Sequence, residues 1–193
     1  MLLSGIIEKS DAVYYSHPVI VLKTAELFRS SIDYWLLYKC TEASSWPLPN
    51  IHALLERVGN YKLDTFRIMD LTTGYHQAPM DAASKVLTAF ICYSGVYQFT
   101  RLPFGPRRTP SYFQEMMTTV VLNGLIYTKC EMYLDDCIVF AWGHDEFLER
   151  LERVFRRFRC FGPFLKAKKC RFGMKQIDYV GHQISSKKSL SRY

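Results

Sequence analysis

The 193-residue sequence lacks the features of a secreted, zinc-bound or membrane-spanning protein. Its six cysteines form no Cys-x-x-Cys pair, and no histidine follows a close cysteine pair at zinc-finger spacing, so free thiols in a reducing compartment are expected. The N-terminus has no basic lead before a long apolar core and therefore does not resemble a signal peptide. No apolar run approaches the roughly 20 residues that span a bilayer, so no membrane segment is expected.

Internal repeats and low-complexity linkers are also missing from the sequence. Half of the chain is hydrophobic (49%) and aromatic residues make up 15%, which excludes global disorder and predicts one or two compact units. The formal net charge of +7 is compatible with binding to a polyanion. A plain solvated basic surface explains the same charge equally well.

Two adjacent acids, Asp135 and Asp136, lie between apolar runs within residues 130–140. Both runs are rich in β-branched and aromatic residues, which is typical of two strands joined by a tight turn at the acids. A third acid, Asp70, ends the apolar run 66–70. A solvated acidic turn is the commoner explanation of the adjacent pair alone. Two strand ends that deliver carboxylates to one place would instead form a site for hard, oxygen-preferring divalent cations.

Several segments then carry a family resemblance. Residues 133–136, Tyr-Leu-Asp-Asp, resemble the Tyr-x-Asp-Asp box of reverse transcriptases, and residues 69–77 resemble the Asp-Leu-x-x-Gly-Tyr-His-Gln box of gypsy-type LTR retrotransposons. Between them, residues 102–105 (Leu-Pro-Phe-Gly), Pro110 and residues 113–114 are similar to a third segment of that family. The order and spacing of these boxes are more specific than any one of them, and the resemblance extends over most of the chain.

The resemblance implies an α+β fold: a right-hand polymerase palm, with a ferredoxin-like antiparallel sheet and helices, and inserted fingers β-hairpins. The fingers would comprise residues 1–45 and 78–104, and the palm residues 46–77 and 105–193. The chain continues only a short way past a hairpin similar to the family's primer grip. The thumb is therefore expected to be absent, and thumb and RNase H regions would come from a parent polyprotein or a partner.

The implied activity is template-directed DNA synthesis on RNA or DNA, a nucleotidyl transfer that uses two Mg²⁺ or Mn²⁺ ions. Asp70, Asp135 and Asp136 would be catalytic, and these three residues together with Leu71 would bind the metal ions. The expected partners are an RNA or DNA template with its primer and deoxynucleoside triphosphates. The protein would work in a cytoplasmic retrotransposon particle or in the nucleus.

Further roles are implied for two groups of residues. Nucleotide contacts are expected at Arg29, Thr73, Gly74, Tyr75, Phe104, Gly105, Leu134 and Lys169, and a primer grip at Tyr179, Val180, Gly181 and His182. Arg29 would contact the triphosphate, Tyr75 would exclude a ribose 2′-hydroxyl, and Lys169 would lie near the leaving pyrophosphate. An exposed strand arginine, a core aromatic and a basic surface are the respective alternatives.

Departures from the family pattern are concentrated in the predicted fingers. Trp35 replaces an arginine, Tyr38 replaces an asparagine, and the turn at residues 23–27 is short and lacks glycine, although tight hairpin turns favour Gly, Asn or Asp. These changes leave open a catalytically inactive retrotransposon relic that binds nucleic acid or retains no activity. A folded domain whose acids are only structural is a third alternative.

The spacing of apolar residues predicts three longer helices. The first is capped by Asn50 and stopped by Gly59, and the second begins at Pro110 with Thr109 as its cap. The apolar face of the second helix would consist of Phe113, Met116, Met117, Val120 and Val121. The third covers residues 146–159, with its charged side chains on a solvated face. Hairpins are expected within residues 19–34 and 88–99.

Overall fold

The computed structural model describes residues 1–24, 27–60, 65–71, 74–174, 176–185 and 188–191. The fold is α+β, and the strand ladders within these ranges are antiparallel. Contacts divide the chain into a first unit, Met1–Ser45 with Tyr75–Tyr112, and a second unit, Trp46–Gly74 with Phe113–Tyr193.

The elements follow one another along the chain as short strands and a few helices. The strands are β1 (Ile7–Lys9), β2 (His17–Thr24), β3 (Leu27–Asp33), β4 (Thr65–Asp70), β5 (Phe90–Cys92), β6 (Gly95–Phe99), β7 (Cys130–Tyr133), β8 (Asp136–Ala141), β9 (Arg171–Met174), β10 (Gln176–Tyr179), β11 (His182–Ser185) and β12 (Lys188–Ser191). The helices are α1 (Trp35–Cys40), α2 (Ile51–Asn60), α3 (Ala82–Leu87), α4 (Thr109–Met116) and α5 (His144–Phe161). Two 3₁₀ turns, Gly74–Gln77 and Ala167–Lys169, and a π turn, Met117–Val121, complete the set.

The first unit contains the two predicted hairpins. Strands β2 and β3 pair with each other, and β5 and β6 form a three-stranded sheet with β1 in the order β1-β6-β5. The core of this unit is aromatic, with Phe90, Tyr97 and Phe99 buried against one another. Residues 25 and 26, at the predicted short turn between β2 and β3, lie outside the described residues.

The second unit is built on a four-stranded sheet in the order β7-β8-β4-β9, and β10, β11 and β12 form a separate sheet. Burial of apolar side chains from α2, β8 and the β10–β11 hairpin forms its core. The core residues are Leu54, Leu55, Val58, Ile138, Phe140, Tyr179 and Ile184. This packing fixes the position of β8, whose first residue is Asp136.

Two of the predicted helix ends need correction. The N-cap of α2 is confirmed, since the Ala53 N–H donates to Asn50 Oδ1 at 3.2 Å. The helix does not stop at Gly59 but continues to Asn60. Thr109 is the first residue of α4 rather than its cap, because the helical hydrogen bonds begin with the Tyr112 N–H, which donates to the Arg108 carbonyl. The Thr109 hydroxyl donates to the Pro103 carbonyl at 3.0 Å.

The predicted apolar face after Pro110 is interrupted by the π turn Met117–Val121, where the Leu122 N–H donates to the Met117 carbonyl. A π turn takes more residues than an α turn and so rotates the following side chains around the axis. Val120, predicted to be in the core, is 46% exposed, whereas Thr118 is buried.

Helix α5 confirms the predicted amphipathic helix but not its fully solvated charged face. Arg150 is only 8% exposed and donates from Nη1 to the carbonyls of Phe140 (2.7 Å) and Thr128 (3.0 Å). Its Nη2 also bonds Glu146 Oε1 at 2.6 Å. Arg150 therefore fastens α5 to the end of β8.

Two expectations from composition can be compared with the fold. All six cysteines are free of disulfides, as expected. Across the portion of the chain that the structure describes, no helix is both long enough and apolar enough to cross a membrane.

Candidate active site

The register of the second unit's main sheet brings the three aspartates to one end of three neighbouring strands. Asp70, the last residue of β4, pairs with Asp136, the first residue of β8. Asp136 also pairs with Tyr133 across the β7–β8 hairpin. The Leu71 N–H donates to the Asp135 carbonyl at 3.0 Å and so joins the end of β4 to the hairpin turn. The Asp70 side chain itself is outside the described part of the structure.

The hairpin turn between β7 and β8 consists of only two residues, Leu134 and Asp135. Leu134 has φ +52°, a conformation that few residues other than glycine adopt. The flanking strands are largely buried, which makes the hairpin stiff. Both Asp135 and Asp136 are half-buried. The turn is therefore held in an uncommon conformation from both sides.

Gln114 on α4 supports this turn through both ends of its side-chain amide. Its Nε2 donates to the Met132 carbonyl at 3.0 Å, and its Oε1 accepts from the Leu134 N–H at 2.8 Å. Gln114 is 1% exposed. Gln114 belongs to the segment at residues 113–114 that is similar to the family, but no role was predicted for it. An amide between Phe113 and the apolar Met116 and Met117 was the available signal, since a buried amide requires partners.

Gly74 lies against the carboxylate of Asp135. A Cβ at position 74 would overlap Asp135 Oδ1, and would come within 2.9 Å of Asp135 Cγ and 3.2 Å of Phe113 Cζ. The requirement for glycine here comes from close approach and not from backbone conformation. Gly74 was predicted as a nucleotide contact, and the structure shows it as the neighbour of a predicted catalytic residue.

Tyr179, predicted to belong to the primer grip, is 1% exposed and packs in the core of the second unit. Its hydroxyl donates to the Asp136 carbonyl at 3.2 Å. Burial, together with nearby acidic groups, raises the pKa of Tyr179 well above its ordinary value, so the hydroxyl keeps its proton. The Tyr179 side chain therefore supports the β7–β8 hairpin through the backbone of Asp136.

The other predicted primer-grip residues form the connection between β10 and β11. Tyr179 pairs with His182, which leaves Val180 (φ +49°) and Gly181 (φ +76°) as a two-residue turn. Positive φ at both central residues is the geometry that suits a tight hairpin. The His182 ring lies edge-on to His52 with their centroids 6.4 Å apart.

An ion pair between a buried carboxylate and a partly exposed arginine adjoins the β7–β8 hairpin. Glu131 on β7 is fully buried and accepts hydrogen bonds from Arg57 Nε (2.5 Å) and Nη2 (3.2 Å). Burial raises the pKa of Glu131, and the hydrogen bonds from Arg57 offset that effect only in part. The same hydrogen bonds raise the pKa of Arg57. The pair joins α2 to β7.

The basic segment that follows α5 runs beside the strand that ends at Asp70. Leu165 forms an antiparallel bridge with Leu71, and the 3₁₀ turn Ala167–Lys169 contacts β4. Lys169 is exposed. Within the second unit, the fold thus brings Lys169 to the same strand as Asp70.

Three of the predicted nucleotide-binding residues lie close together in the first unit. The rings of Tyr75 and Phe104 have centroids 4.8 Å apart, and Tyr75 is 8% exposed. Gly105 has φ +110°, and a Cβ there would come within 2.9 Å of Tyr34 Cδ2. Arg29 lies on β3 with its side chain outside the described part, and Thr73 is not among the described residues.

Comparison with known proteins decides the family. The model of the family described as "Reverse transcriptase (RNA-dependent DNA polymerase)" matches residues 26–184. The chain belongs to the reverse transcriptase family. The resemblance inferred from the sequence boxes is therefore confirmed.

The relatives of this reverse transcriptase chain are retrotransposon polyproteins. It is 34% identical over 188 residues to the Pol polyprotein from transposon 412 of Drosophila melanogaster, covering 94% of this chain and 15% of that protein. For transposon 297 of the same organism the identity is 35% over 190 residues, covering 96% of this chain and 18% of the relative. The Schizosaccharomyces pombe transposon Tf2-3 polyprotein is 27% identical over 186 residues, covering 96% and 14%. The chain thus spans less than a fifth of these relatives.

Solved structures show the fold. The foamy viral protease-reverse transcriptase in complex with double-stranded DNA matches with a TM-score of 0.88 at 22% identity, over 97% of this chain and 32% of that chain. The same viral protein in complex with an RNA/DNA hybrid gives 0.87 at 21%, over 99% and 25%. The predicted α+β class is confirmed as the reverse transcriptase fold.

The hairpin has the donor set of a site for divalent metal ions. Carboxylates and backbone carbonyls are the ligands that Mg²⁺ and Mn²⁺ prefer, and Asp135 and Asp136 present two carboxylates at one strand end. Among the described side chains, no three His, Cys, Asp or Glu residues form a metal-binding group. The third carboxylate would come from Asp70, whose backbone lies directly across from Asp136. The residues present therefore fit the ions that the family implies.

Proposed function

We propose that this chain catalyses template-directed DNA synthesis on RNA or DNA, as the polymerase part of a retrotransposon reverse transcriptase. The observation that carries the proposal is the register of β4 against β8, which places Asp70 opposite Asp136 and beside the turn that holds Asp135. The second unit would be the palm and the first unit the fingers. The activity would be exerted in a cytoplasmic retrotransposon particle or in the nucleus.

Asp70, Asp135 and Asp136, with the carbonyl of Leu71, would hold two Mg²⁺ or Mn²⁺ ions. Bound ions would supply activation of the primer 3′-hydroxyl and neutralisation of the triphosphate and pyrophosphate charges. The contribution of this chain is to hold the carboxylates in place. Gln114 and Tyr179 fix the hairpin at Leu134 and Asp136, and neither side chain has freedom to move because both are 1% exposed.

Nucleotide and primer contacts extend the proposal to individual residues of each unit. In the first unit, the face of Tyr75 beside Phe104 would contact the sugar and leave no room for a 2′-hydroxyl. Arg29 would contact the triphosphate, and Gly105 would allow close approach of a base. Thr73, which belongs to the second unit, would also contact the triphosphate. In the second unit, Leu134 would border the nucleotide and Lys169 would donate a proton to the leaving pyrophosphate.

The primer and template contacts are also proposals. The turn at Val180 and Gly181, with His182, would hold the primer end through its backbone, since the Tyr179 ring is occupied in the core. Nucleic acid duplexes are the ligands of the foamy viral structures, which supports a template–primer duplex as the ligand here. The formal charge of +7 favours binding to phosphates, with an affinity that falls as salt rises.

Primer extension tests the proposal. The purified chain is incubated with poly(rA)/oligo(dT), deoxythymidine triphosphate and Mg²⁺ or Mn²⁺, and the lengths of the products are measured. We expect extension that is lost in Asp135→Asn and kept in Asp178→Asn, whose exposed side chain lies on β10. Binding of the template–primer should stay about the same in both variants.

The alternatives predict other outcomes. Equal extension by Asp135→Asn and the unchanged chain would contradict the site assignment. Binding of the duplex without any extension by the unchanged chain would indicate a relic that binds nucleic acid but no longer polymerises.

A further inference from the structure

The positive charge of the chain is concentrated in one segment of the second unit. Residues 153–177 contain nine Lys and Arg residues and no Asp or Glu. The whole chain has 25 Lys and Arg against 18 Asp and Glu, so the residues outside this segment have 16 against 18 and carry a net charge of −2. The net charge of +7 therefore comes entirely from this segment.

Helix α5 changes its charge pattern part-way along its length. In its first part, Arg150, Arg153 and Arg156 each pair with the glutamate four residues earlier. Glu152 is the last acid of the helix, and the next acid in the sequence is Asp178. The cations that follow Arg156 thus have no acid near them in the sequence, and like charges that lie close together repel one another. An anionic ligand would relieve that repulsion.

The segment that follows Arg156 is largely exposed. Arg157 is half-buried and donates from Nη2 to the Asn123 carbonyl at 2.7 Å, which holds the last turns of α5 in place. Among the side chains that the structure describes after it, the exposed cations are Arg159, Lys166, Lys168, Lys169 and Arg171. We call residues 157–171 the basic tail.

Two phenylalanine rings are exposed within the basic tail. Phe161 is 47% exposed and Phe164 is 73% exposed. Helix α5 ends between them, where Gly162 has φ +80° and its N–H donates to the Phe158 carbonyl at 2.8 Å. A left-handed residue of this kind ends a helix and turns the chain away from its axis. The tail therefore presents aromatic rings and cations that alternate along a sharply turning segment.

Strand pairing fixes the tail at one edge of the main sheet of the second unit. Leu165 forms an antiparallel bridge with Leu71, and Arg171, the first residue of β9, pairs with Ile68 on β4. Strand β4 lies between β9 and β8 in the sheet. The tail therefore lies on one side of β4 and the β7–β8 hairpin on the other. Lys169, proposed above to lie near the pyrophosphate, is not counted in the site that follows.

The composition of the tail favours a single-stranded nucleic acid as its ligand. Bases stack on exposed aromatic rings, and the neighbouring cations neutralise the phosphates. A protein partner fits less well, because lysine is depleted from protein–protein interfaces. An anionic membrane would require an apolar helix face that can insert, but the apolar face of α5, with Phe147, Leu151 and Val154, is buried in the protein.

We propose that the basic tail binds a single-stranded RNA or DNA through two rings and three cations, which are Phe161, Phe164, Arg159, Lys166 and Lys168. The site goes beyond the proposed function, since it requires neither the three aspartates nor metal ions. Its ligand is a strand other than the paired template and primer. In this respect alone the inference rests on the proposed function, because the chain would hold this strand while a duplex occupies the polymerase site.

Fluorescence anisotropy with a labelled oligo(rC), without metal or nucleotide, measures the site directly. We expect Phe161→Ala and Phe164→Ala each to weaken binding about tenfold, as is typical when one stacking residue is removed. Phe164→Leu should weaken it similarly, because leucine is apolar but has no ring, whereas Phe164→Trp should keep the affinity. Trp142→Ala is the matched control, since Trp142 is 55% exposed just before α5 and should leave the affinity unchanged.

Substitution of the cations tests the phosphate contacts. Arg159→Gln, Lys166→Gln and Lys168→Gln should each reduce the slope of log affinity against log salt by about 0.7, the value for one phosphate contact on a single strand. Lys9→Gln is the control, because Lys9 is an exposed lysine on β1 of the first unit. An equal change of slope in Lys9→Gln would show only a general effect of net charge and would overturn the assignment to the tail.

A competition experiment tests whether the site is separate. The labelled oligo(rC) is titrated into the chain with and without a saturating, unlabelled, blunt RNA/DNA duplex of unrelated sequence. We expect the affinity for the single strand to change by less than about threefold. Displacement of the strand by the duplex would show one shared site and would overturn the proposal.

The outcomes distinguish this proposal from the proposed function. Unchanged affinity in Phe161→Ala and Phe164→Ala, with the fold retained by circular dichroism, would overturn the site even if the chain extends primers. Weakened affinity in both, in a chain that extends no primer, would uphold the site and reject the polymerase activity. Binding to phosphatidylserine vesicles that Phe164→Ala abolishes, without a change in oligonucleotide affinity, would overturn the proposal in favour of a membrane.

Discussion

The Oε1 atom of Gln114 accepts a hydrogen bond from the backbone N–H of Leu134 at 2.8 Å. Leu134 has φ +52° and immediately precedes Asp135, so this bond stabilises an uncommon backbone conformation beside a predicted catalytic carboxylate. The donor end of the same amide bonds the Met132 carbonyl, on the strand that enters the turn. The buried Gln114 side chain thus bonds both β7 and the turn, and so fixes the backbone that carries Asp135 and Asp136.

Replacing Gln114 with methionine keeps its size but removes both hydrogen bonds. Each buried group left without a partner costs about 1–3 kcal/mol, so we expect a similar loss of unfolding free energy in urea. A small displacement of a catalytic group lowers rates strongly, so the extension rate at saturating primer–template should fall about tenfold or more. Template affinity should not change. An unaltered extension rate in folded Gln114→Met would show that the hairpin holds its geometry without this bond.

Gly74→Ala tests the close approach to Asp135. The added methyl would overlap the Asp135 carboxylate, so either the carboxylate or the 3₁₀ turn must move. We expect the extension rate to fall between about tenfold and a hundredfold with little change in template affinity. Gly59→Ala is the matched control, because a Cβ at position 59 of α2 meets nothing within 4 Å. That change should stabilise the chain by about 1 kcal/mol and leave extension intact. Equal rates in the two variants would contradict the prediction.

The pH dependence of stability should reveal the buried Glu131. Burial raises the pKa of Glu131 above its ordinary value of 4.5, so the folded state holds this proton more tightly than the unfolded state does. The contribution of the Glu131 proton to the free energy of unfolding is therefore fully present below pH 4.5. It is lost as the pH rises through the pKa that Glu131 has in the folded state. Relative to the unchanged chain, Glu131→Gln should gain unfolding free energy as the pH rises across that window, measured by urea titration at each pH.

Glu146 should affect the pH dependence of stability in the opposite direction to Glu131. The backbone N–H of Trp142 and the nearby Arg150 lower the pKa of Glu146 below 4.5. The contribution of Glu146 is therefore present above pH 4.5 and is lost as the pH falls through the folded pKa. Relative to the unchanged chain, Glu146→Gln should lose unfolding free energy as the pH rises. If the unfolding free energy relative to the unchanged chain changed with pH in the same direction for both variants, the raised pKa of Glu131 would be refuted.

Arg150→Met examines the attachment of α5 to β8. The change removes the donors to the Phe140 and Thr128 carbonyls, and we expect a loss of about 1–3 kcal/mol in unfolding free energy. Arg153→Met is its control on the same helix, since Arg153 forms an exposed pair with Glu149. The control should change stability by less than about 0.5 kcal/mol. A loss of similar size in both variants would show that the buried donors of Arg150 contribute nothing beyond a surface ion pair.

The features that could be predicted from the sequence are formed by residues close together in the chain. The abundance of β-branched and aromatic residues predicted the strands around Asp135 and Asp136, and the turn at the acids followed from that composition. Asn50 was recognised as a cap because a cap and its helix lie within a few residues of each other. The position of Asp70 at the end of another apolar run predicted that it joins the pair, the family boxes agreed, and the strand register supports it.

What could not be predicted depends on contacts between distant segments. Arg150 has the helical spacing of a solvated residue, and its burial follows only from the carbonyls that α5 meets on other elements. The packing of the Tyr179 ring against β8 also joins segments that are distant in sequence, and the resemblance implied only a primer contact for this residue. The π turn Met117–Val121 has no local signature that separates it from a continuing helix, so the exposure of Val120 was unforeseen.

The contact between Gly74 and Asp135 also limits which substitutions the sequence can accept at position 74. Every amino acid that one nucleotide change can substitute for glycine has a Cβ atom, so each missense change at this codon pushes on the Asp135 carboxylate. No substitution at position 74 therefore avoids the overlap with Asp135. Among diverging copies of the sequence, we therefore expect a missense change at this codon to accompany loss of the proposed activity.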